Sequence, residues 1–139
     1  MKPANARSAV RRSRQERRFR WAPTRSKFLG LKKGYHGTHF GGSLYAMTDP
    51  FFALMVIMNL PDEYLVWDRS ASVEFIAPGR TRMRATFTLE ADDLDRIVRM
   101  TEGGDKHLHL FRTDVVDDEG LVVAKVEKIV YVRRRRSRA

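Results

Sequence analysis

The 139-residue sequence contains no cysteine, which excludes both a disulfide framework and a thiolate metal site. It also has no long hydrophobic run, because its most apolar segment, residues 51–58, is too short to span a bilayer. The basic N-terminus is not followed by an apolar stretch of the kind found in secretory signals. These absences predict a soluble, cytoplasmic protein without a membrane span.

Acidic residues are scarce at both ends of the chain. Residues 1–27 hold ten Lys or Arg and a single Glu, and five arginines lie within 133–139, so the net charge of +10 comes from the ends. No aromatic platform accompanies these arginines, so nucleic acid is not expected as a partner and solvated tails are favoured. The predicted organisation is a basic disordered tail over 1–15, a single domain over 16–133 and a basic tail over 134–139.

Charge is nearly absent from residues 43–60, where Asp49 is the only charged side chain. A helix that is apolar on every face must be covered on all sides. Strand patterns follow this segment, so the expected fold is α+β with one antiparallel sheet wrapped around the helix. Pro50 either kinks this helix or separates two helices, with Asp49 as N-cap and Pro50 at the first helical position.

Alternating patterns predict the strands of this sheet. A short edge strand over 17–21 ends before Pro23, and a short amphipathic helix over 92–101 divides the later strands. The long strands are predicted over 64–77, 81–89, 106–117 and 121–133.

Two basic residues interrupt the predicted inward faces of these strands. Odd-numbered residues of the strand over 64–77 would face the helix, and Arg69 is among them. A buried guanidinium needs a partner, so Arg69 either pairs with Asp49 or lies at a bulge or snorkels out at the sheet edge. Lys128 interrupts the buried face of the last strand in the same way.

The string GTHFGGSLYAMTDP at residues 37–50 resembles the signature of an uncharacterised bacterial, thioesterase-like hotdog family. The resemblance covers about residues 28–133 and implies the hotdog fold, a curled antiparallel sheet around one long central helix. The family is related to acyl-CoA thioesterases of the phenylacetate-pathway type, in which His-Gly-Gly is followed seven residues later by an essential Asp. Gly41, Gly42 and Asp49 match that pattern, whereas Phe40 occupies the His position and His39 stands one place early.

This resemblance implies a catalytic role for Asp49, as a nucleophile or as a general base toward water. The backbone N–H of Gly41 or Gly42 would hold the thioester carbonyl oxygen, although glycines at a helix start also permit close packing on a sheet. In a continuous helix Gly42 and Asp49 are about 10.5 Å apart along the axis, which favours a site shared between two chains. The predicted substrate-binding residues are His39, Phe40, Ser43, Thr48 and Arg69.

Two hypotheses for the function follow. The first is an enzyme that hydrolyses an acyl thioester, with a CoA-linked small molecule as substrate and a homodimer or a tetramer as the assembly. The second is a non-catalytic hotdog module that binds acyl groups or acyl-CoA, or that acts as a structural or regulatory partner. Neither requires a cofactor. The pairs His36–His39 and His107–His109 have no carboxylate in a known ligand spacing, so no metal site is expected.

Overall fold

A computed structural model describes the backbone of residues 19–26, and residues 38 and 41–136. Its five strands form one antiparallel sheet in the order β1-β3-β4-β5-β2, so the predicted α+β class is confirmed. His39, Phe40 and the predicted tail over 1–15 lie outside the described residues. The elements in chain order are β1 (Phe19–Ser26), α1 (Gly41–Ala46), α2 (Phe51–Asn59), β2 (Tyr64–Phe75), β3 (Met83–Leu89), α3 (Ala91–Thr101), β4 (Lys106–Val116) and β5 (Val122–Arg134).

The central apolar segment consists of two helices, with a turn between Ala46 and Phe51. Pro50 is the N-cap of α2, where a residue without an N–H is tolerated, and its carbonyl accepts a hydrogen bond of 3.1 Å from Leu54 N–H. No side chain caps this helix start. The prediction of two helical pieces is therefore confirmed, but the assignment of Asp49 as the N-cap is wrong.

The helix α2 packs on the sheet through aromatic and aliphatic side chains. Phe52 is 1% exposed, stacks on Phe111 at a centroid distance of 4.7 Å and meets Phe87 edge-on at 5.2 Å. Its neighbours Met55 and Val56 are completely buried. This contact between helix and sheet forms the centre of the hydrophobic core.

The opposite side of α2 is apolar but exposed. Leu54, Ile57 and Met58 are 42%, 47% and 59% exposed. Within the described residues, Gly41–Asn59 is the one stretch with the length and mean hydropathy of a membrane-spanning helix, a property that core helices of soluble proteins share. The turn before Phe51 interrupts this stretch, and part of it is buried against the sheet.

A bulge changes the phase of β2 in its middle. Asp68 pairs with Val130 and Ser70 with Ile129, so Arg69 is the extra residue. Even-numbered residues therefore face the helices before the bulge, and odd-numbered residues do so after it. The predicted inward face is wrong for the first half of the strand, and Arg69 is exposed.

The edge strand β1 continues past Pro23, contrary to the expectation that proline ends it. Its register against β3 shifts between Trp21 and Thr24. A proline on an edge strand beside a register shift removes no hydrogen bond that the sheet requires.

The last strand extends through Arg134, one residue into the predicted C-terminal tail. Arg134 Nε lies 2.6 Å from Glu63 Oε1, and Arg135 N–H donates to the Glu63 carbonyl oxygen at 2.8 Å. Truncation after residue 133 should therefore lower the free energy of unfolding by about 1–2 kcal/mol relative to truncation after residue 136. Urea unfolding of the two shortened chains measures this difference, and coincident unfolding curves would contradict it.

Candidate functional site

Asp49 lies in the turn between α1 and α2, and its side chain is 51% exposed. Backbone hydrogen bonds from Thr48 N–H to Tyr45 O (2.8 Å) and from Asp49 N–H to Ala46 O (3.4 Å) define the turn. The hydroxyl of Tyr45, four residues earlier, donates to Asp49 Oδ1 at 2.8 Å. The turn therefore fixes one carboxylate oxygen while the side chain remains accessible to solvent.

The charged partner of Asp49 is Lys128, on the inner face of β5. Its side chain is 1% exposed, and its Nζ donates to Asp49 Oδ1 at 2.5 Å and to Tyr45 Oη at 3.0 Å. The same Nζ lies 3.3 Å from Asp68 Oδ2, on β2. Arg69, the sequence-based candidate for this pairing, lies instead at the bulge with an exposed side chain.

The charges of this cluster follow from its contacts. Hydrogen bonds from Lys128 and Tyr45 lower the pKa of Asp49 below its usual value, against a smaller opposing effect of burial. Burial lowers the pKa of Lys128, but its hydrogen bonds to Asp49 and Tyr45 and the charge of Asp68 raise it above the usual value overall. Asp49 and Lys128 are therefore both charged at neutral pH.

The second oxygen of Asp49 is the chemically available one. Oδ1 accepts both hydrogen bonds, whereas Oδ2 makes no hydrogen bond or ion pair within the described residues. A carboxylate held ionised with one oxygen free can accept a proton from water or attack an electrophilic carbon.

The glycine pair begins α1. Gly41 and Gly42 are its first two residues, so their N–H groups have no acceptor within the helix. A Cβ on Gly41 would lie 2.9 Å from Phe75 Cζ, which supports the packing explanation for this glycine. The predicted separation of 10.5 Å between Gly42 and Asp49 assumed a continuous helix, and the turn at residues 47–50 removes that assumption.

The two hydroxyl residues among the predicted substrate-binding residues, Ser43 and Thr48, differ in their surroundings. Thr48 is 1% exposed, and its hydroxyl donates to the Tyr45 carbonyl oxygen at 2.7 Å. This arrangement stabilises the turn and keeps the hydroxyl away from solvent. Ser43 is partly buried in α1, where its carbonyl oxygen accepts from Met47 N–H at 3.2 Å.

A second polar cluster joins α3 to β4. Asp93 Oδ1 lies 2.9 Å from His109 Nε2, and His109 Nδ1 lies 3.1 Å from His107 Nε2. Asp93 also accepts from Glu90 N–H at the start of the helix, as part of a capping box. The two histidines lie on one face of β4, as alternate residues of a strand do. The described residues contain no group of three or more His, Cys, Asp or Glu that is arranged to hold a metal ion.

The sequence-based interpretation did not include Tyr45, Asp68 and Lys128 among the site residues. Tyr45 stands four residues before Asp49, the spacing at which side chains meet on a helix. Lys128 was visible as a charge on an otherwise apolar strand face, and pairing it with the lone carboxylate of the helical segment would have identified the contact.

Comparison with solved structures confirms the hotdog fold. A probable thioesterase of unknown function from Pseudomonas aeruginosa matches with a TM-score of 0.69 and 16% identity, over 79% of this chain and 74% of that one. A Streptococcus mutans protein bound to acetyl-CoA matches with a TM-score of 0.54 and 13% identity, over 81% of both chains. The E. coli PaaI protein from the phenylacetic acid degradation operon matches with a TM-score of 0.52 and 13% identity, over 79% of this chain and 69% of that one. At sequence identities this low, the structural similarity establishes the fold alone.

At the sequence level, no curated protein matches this chain. The family described as "Domain of unknown function (DUF4442)" matches residues 25–132. This match includes β2, β3 and β4 completely, β5 except its last two residues and only the last two residues of β1, and it contains Asp49 and Lys128. The chain is therefore a member of the DUF4442 family and has the hotdog fold of thioesterase-like proteins.

Proposed function

We propose that this protein is an acyl-CoA thioesterase with its site at the interface of a homodimer. The observation that carries the proposal is Asp49, an ionised and half-exposed carboxylate. Lys128 and Tyr45 anchor its Oδ1, and no hydrogen bond among the described residues involves its Oδ2. Support for a CoA-linked substrate comes from the structural neighbours, among them proteins solved with acetyl-CoA and with CoA.

In the proposed reaction, Asp49 Oδ2 takes a proton from a water molecule whose oxygen attacks the thioester carbon. The carbonyl oxygen becomes an oxyanion, and the N–H groups of Gly41 and Gly42 stabilise it. The C–S bond then breaks, and the CoA thiolate leaves and takes up a proton. In the alternative mechanism, Oδ2 attacks the thioester carbon, the C–S bond breaks, and the CoA thiolate leaves and takes up a proton. Water then hydrolyses the mixed anhydride, which releases the acid and restores Asp49.

A second copy of the chain would cover the exposed side of α2. Leu54, Ile57 and Met58 form an apolar surface on the central helix, where a monomer leaves them in water. Among the described strands, β2 is at the edge of the sheet beside β5, and an edge strand offers its outer backbone groups for pairing. Both features favour a two-fold dimer, in which Asp49 of one chain meets the glycine turn of its partner.

The alternative function is a non-catalytic module that binds acyl groups or acyl-CoA. Its support is the ion pair itself, because Lys128 is buried and needs a carboxylate whether or not a reaction occurs. The departure at Phe40, where related thioesterases have His, also favours this function. A cytoplasmic location remains a prediction under either function.

Release of free thiol from a panel of acyl-CoAs of increasing chain length tests the proposal. We expect the wild-type protein to release thiol in proportion to enzyme concentration, with one chain-length class preferred. Binding of CoA thioesters without thiol release between pH 5 and 9 would contradict the thioesterase and favour the binding module.

A further inference from the structure

The ammonium group of Lys128 lies close to three side-chain oxygens, one from α1, one from the turn after α1 and one from β2. Its Nζ lies 2.5 Å from Asp49 Oδ1, 3.0 Å from Tyr45 Oη and 3.3 Å from Asp68 Oδ2. The first two oxygens accept hydrogen bonds from the ammonium group, and Asp68 forms an ion pair with it. One buried cation therefore serves two carboxylates at once.

The two carboxylates have different surroundings. Asp49 is half exposed, whereas Asp68 is 30% exposed and its Oδ1 is buried without a hydrogen-bond partner. Burial raises the pKa of Asp68 above its usual value, and the attraction of Lys128 only partly offsets that effect. The environment thus moves the pKa values of Asp49 and Asp68 in opposite directions, a pattern typical of acid–base pairs with distinct roles.

We propose that Lys128 and Asp68 are positioning residues for Asp49. Lys128 holds the Asp49 carboxylate in place and keeps it ionised, and Asp68 competes for the same ammonium group. When Asp68 is protonated, Asp49 is the one carboxylate of the cluster that neutralises the cation. When Asp68 ionises, it shares the cation and adds a negative charge nearby, which makes Asp49 a stronger base. This role rests on the proposed function, in which Asp49 is the reacting group.

Few titratable groups lie near Asp49, so the electrostatic coupling between Asp49 and Asp68 can be measured. Tyr45 on α1, Lys128 on β5 and Asp68 on β2 are the titratable neighbours of Asp49 within the described residues. On β4, the residue paired with Lys128 is Phe111, which does not titrate. A change at Asp49 therefore reaches Asp68 through the shared ammonium and through direct repulsion.

The Asp49→Asn variant tests the inference, because it removes the competing charge and keeps the size of the side chain. The readout is the ¹³C NMR titration of the Asp68 carboxyl, with its resonance assigned from an Asp68→Asn sample. Asp68 has the higher pKa of the two carboxyls, so it titrates while Asp49 is ionised. We expect the Asp68 midpoint to fall by about half a pH unit or more in Asp49→Asn, because Lys128 then has no other carboxylate to neutralise. In Asp68→Asn, the contribution of Asp68 should be missing from the acid limb of kcat/KM for acyl-CoA.

Two further variants complete the test. Lys128→Met should raise the Asp49 midpoint, since the stabilising cation is gone. Asp114→Asn removes an exposed carboxylate on β4 and should leave the Asp68 midpoint unchanged. If Lys128→Met does not fold, Asp49→Asn still decides the question.

An Asp68 midpoint that is unchanged in Asp49→Asn would overturn the inference even if the enzyme hydrolyses acyl-CoA. If the wild-type protein hydrolyses none of the acyl-CoAs, the proposed function fails while the NMR titration still tests the coupling. The two failures are therefore distinguishable.

Discussion

The Asp49→Asn variant should lose at least about a hundredfold in kcat for acyl-CoA hydrolysis, because an amide cannot accept the proton from water. The chain should remain folded, since Asp49 does not cap α2 and Asn keeps an oxygen for Tyr45 to donate to. Lys128 would keep Asp68 as a counter-ion, so we expect a loss of about 1–3 kcal/mol in the free energy of unfolding. Steady-state kinetics and urea unfolding on the same preparation measure both effects.

Asp62→Asn is the matched control for this substitution. Asp62 is exposed, and none of the hydrogen bonds or ion pairs among the described residues involves it. This control should retain wild-type kcat and stability. Full activity in Asp49→Asn would end the catalytic assignment and leave Asp49 as the structural counter-ion of Lys128.

The Phe52→Ala variant should have the largest effect on stability, a loss of about 3–5 kcal/mol. Phe52 is 1% exposed and its ring contacts both Phe87 and Phe111, so its removal leaves a cavity between α2 and the sheet. Chemical unfolding at fixed protein concentration measures the loss, because a dimer's stability depends on concentration.

Phe75→Ala provides the comparison for this variant. Its ring is 57% exposed, so the same truncation should cost less than about 1 kcal/mol. Equal losses in the two variants would contradict the assignment of Phe52 to the centre of the core.

Local sequence signals predicted most of the fold. The lack of charge over residues 43–60 identified the central segment, and the amphipathic spacing predicted α3 within one residue of its observed start. Alternation predicted β3, β4 and β5 to within two residues at each end. These features depend on the burial of whole helix and strand faces, and the spacing of apolar residues in a single sequence shows which faces are buried.

The partner of Asp49 could not be predicted in the same way. The bulge at Arg69 reverses the inward face of β2, and no glycine or proline marks it. The assumption of an unbroken strand therefore placed Arg69 inside and Asp68 outside, the reverse of the structure. One extra residue in a strand exchanges its two faces, and tertiary pairing decides where that residue lies.

The central claim is that two chains build one site, with Asp49 of one chain acting on a thioester held by the glycine turn of the other. The most direct measurement is the activity of mixed dimers of Asp49→Asn and Gly42→Pro. Proline removes the Gly42 N–H at a position in the first helical turn where it is tolerated. Each variant alone should be inactive.

After subunit exchange, verified by mass spectrometry of differently tagged chains, an equal mixture should recover about a quarter of the wild-type activity. Half of the dimers are then mixed, and each has one intact site of two. A mixture that stays as inactive as its components after complete exchange would contradict the shared site.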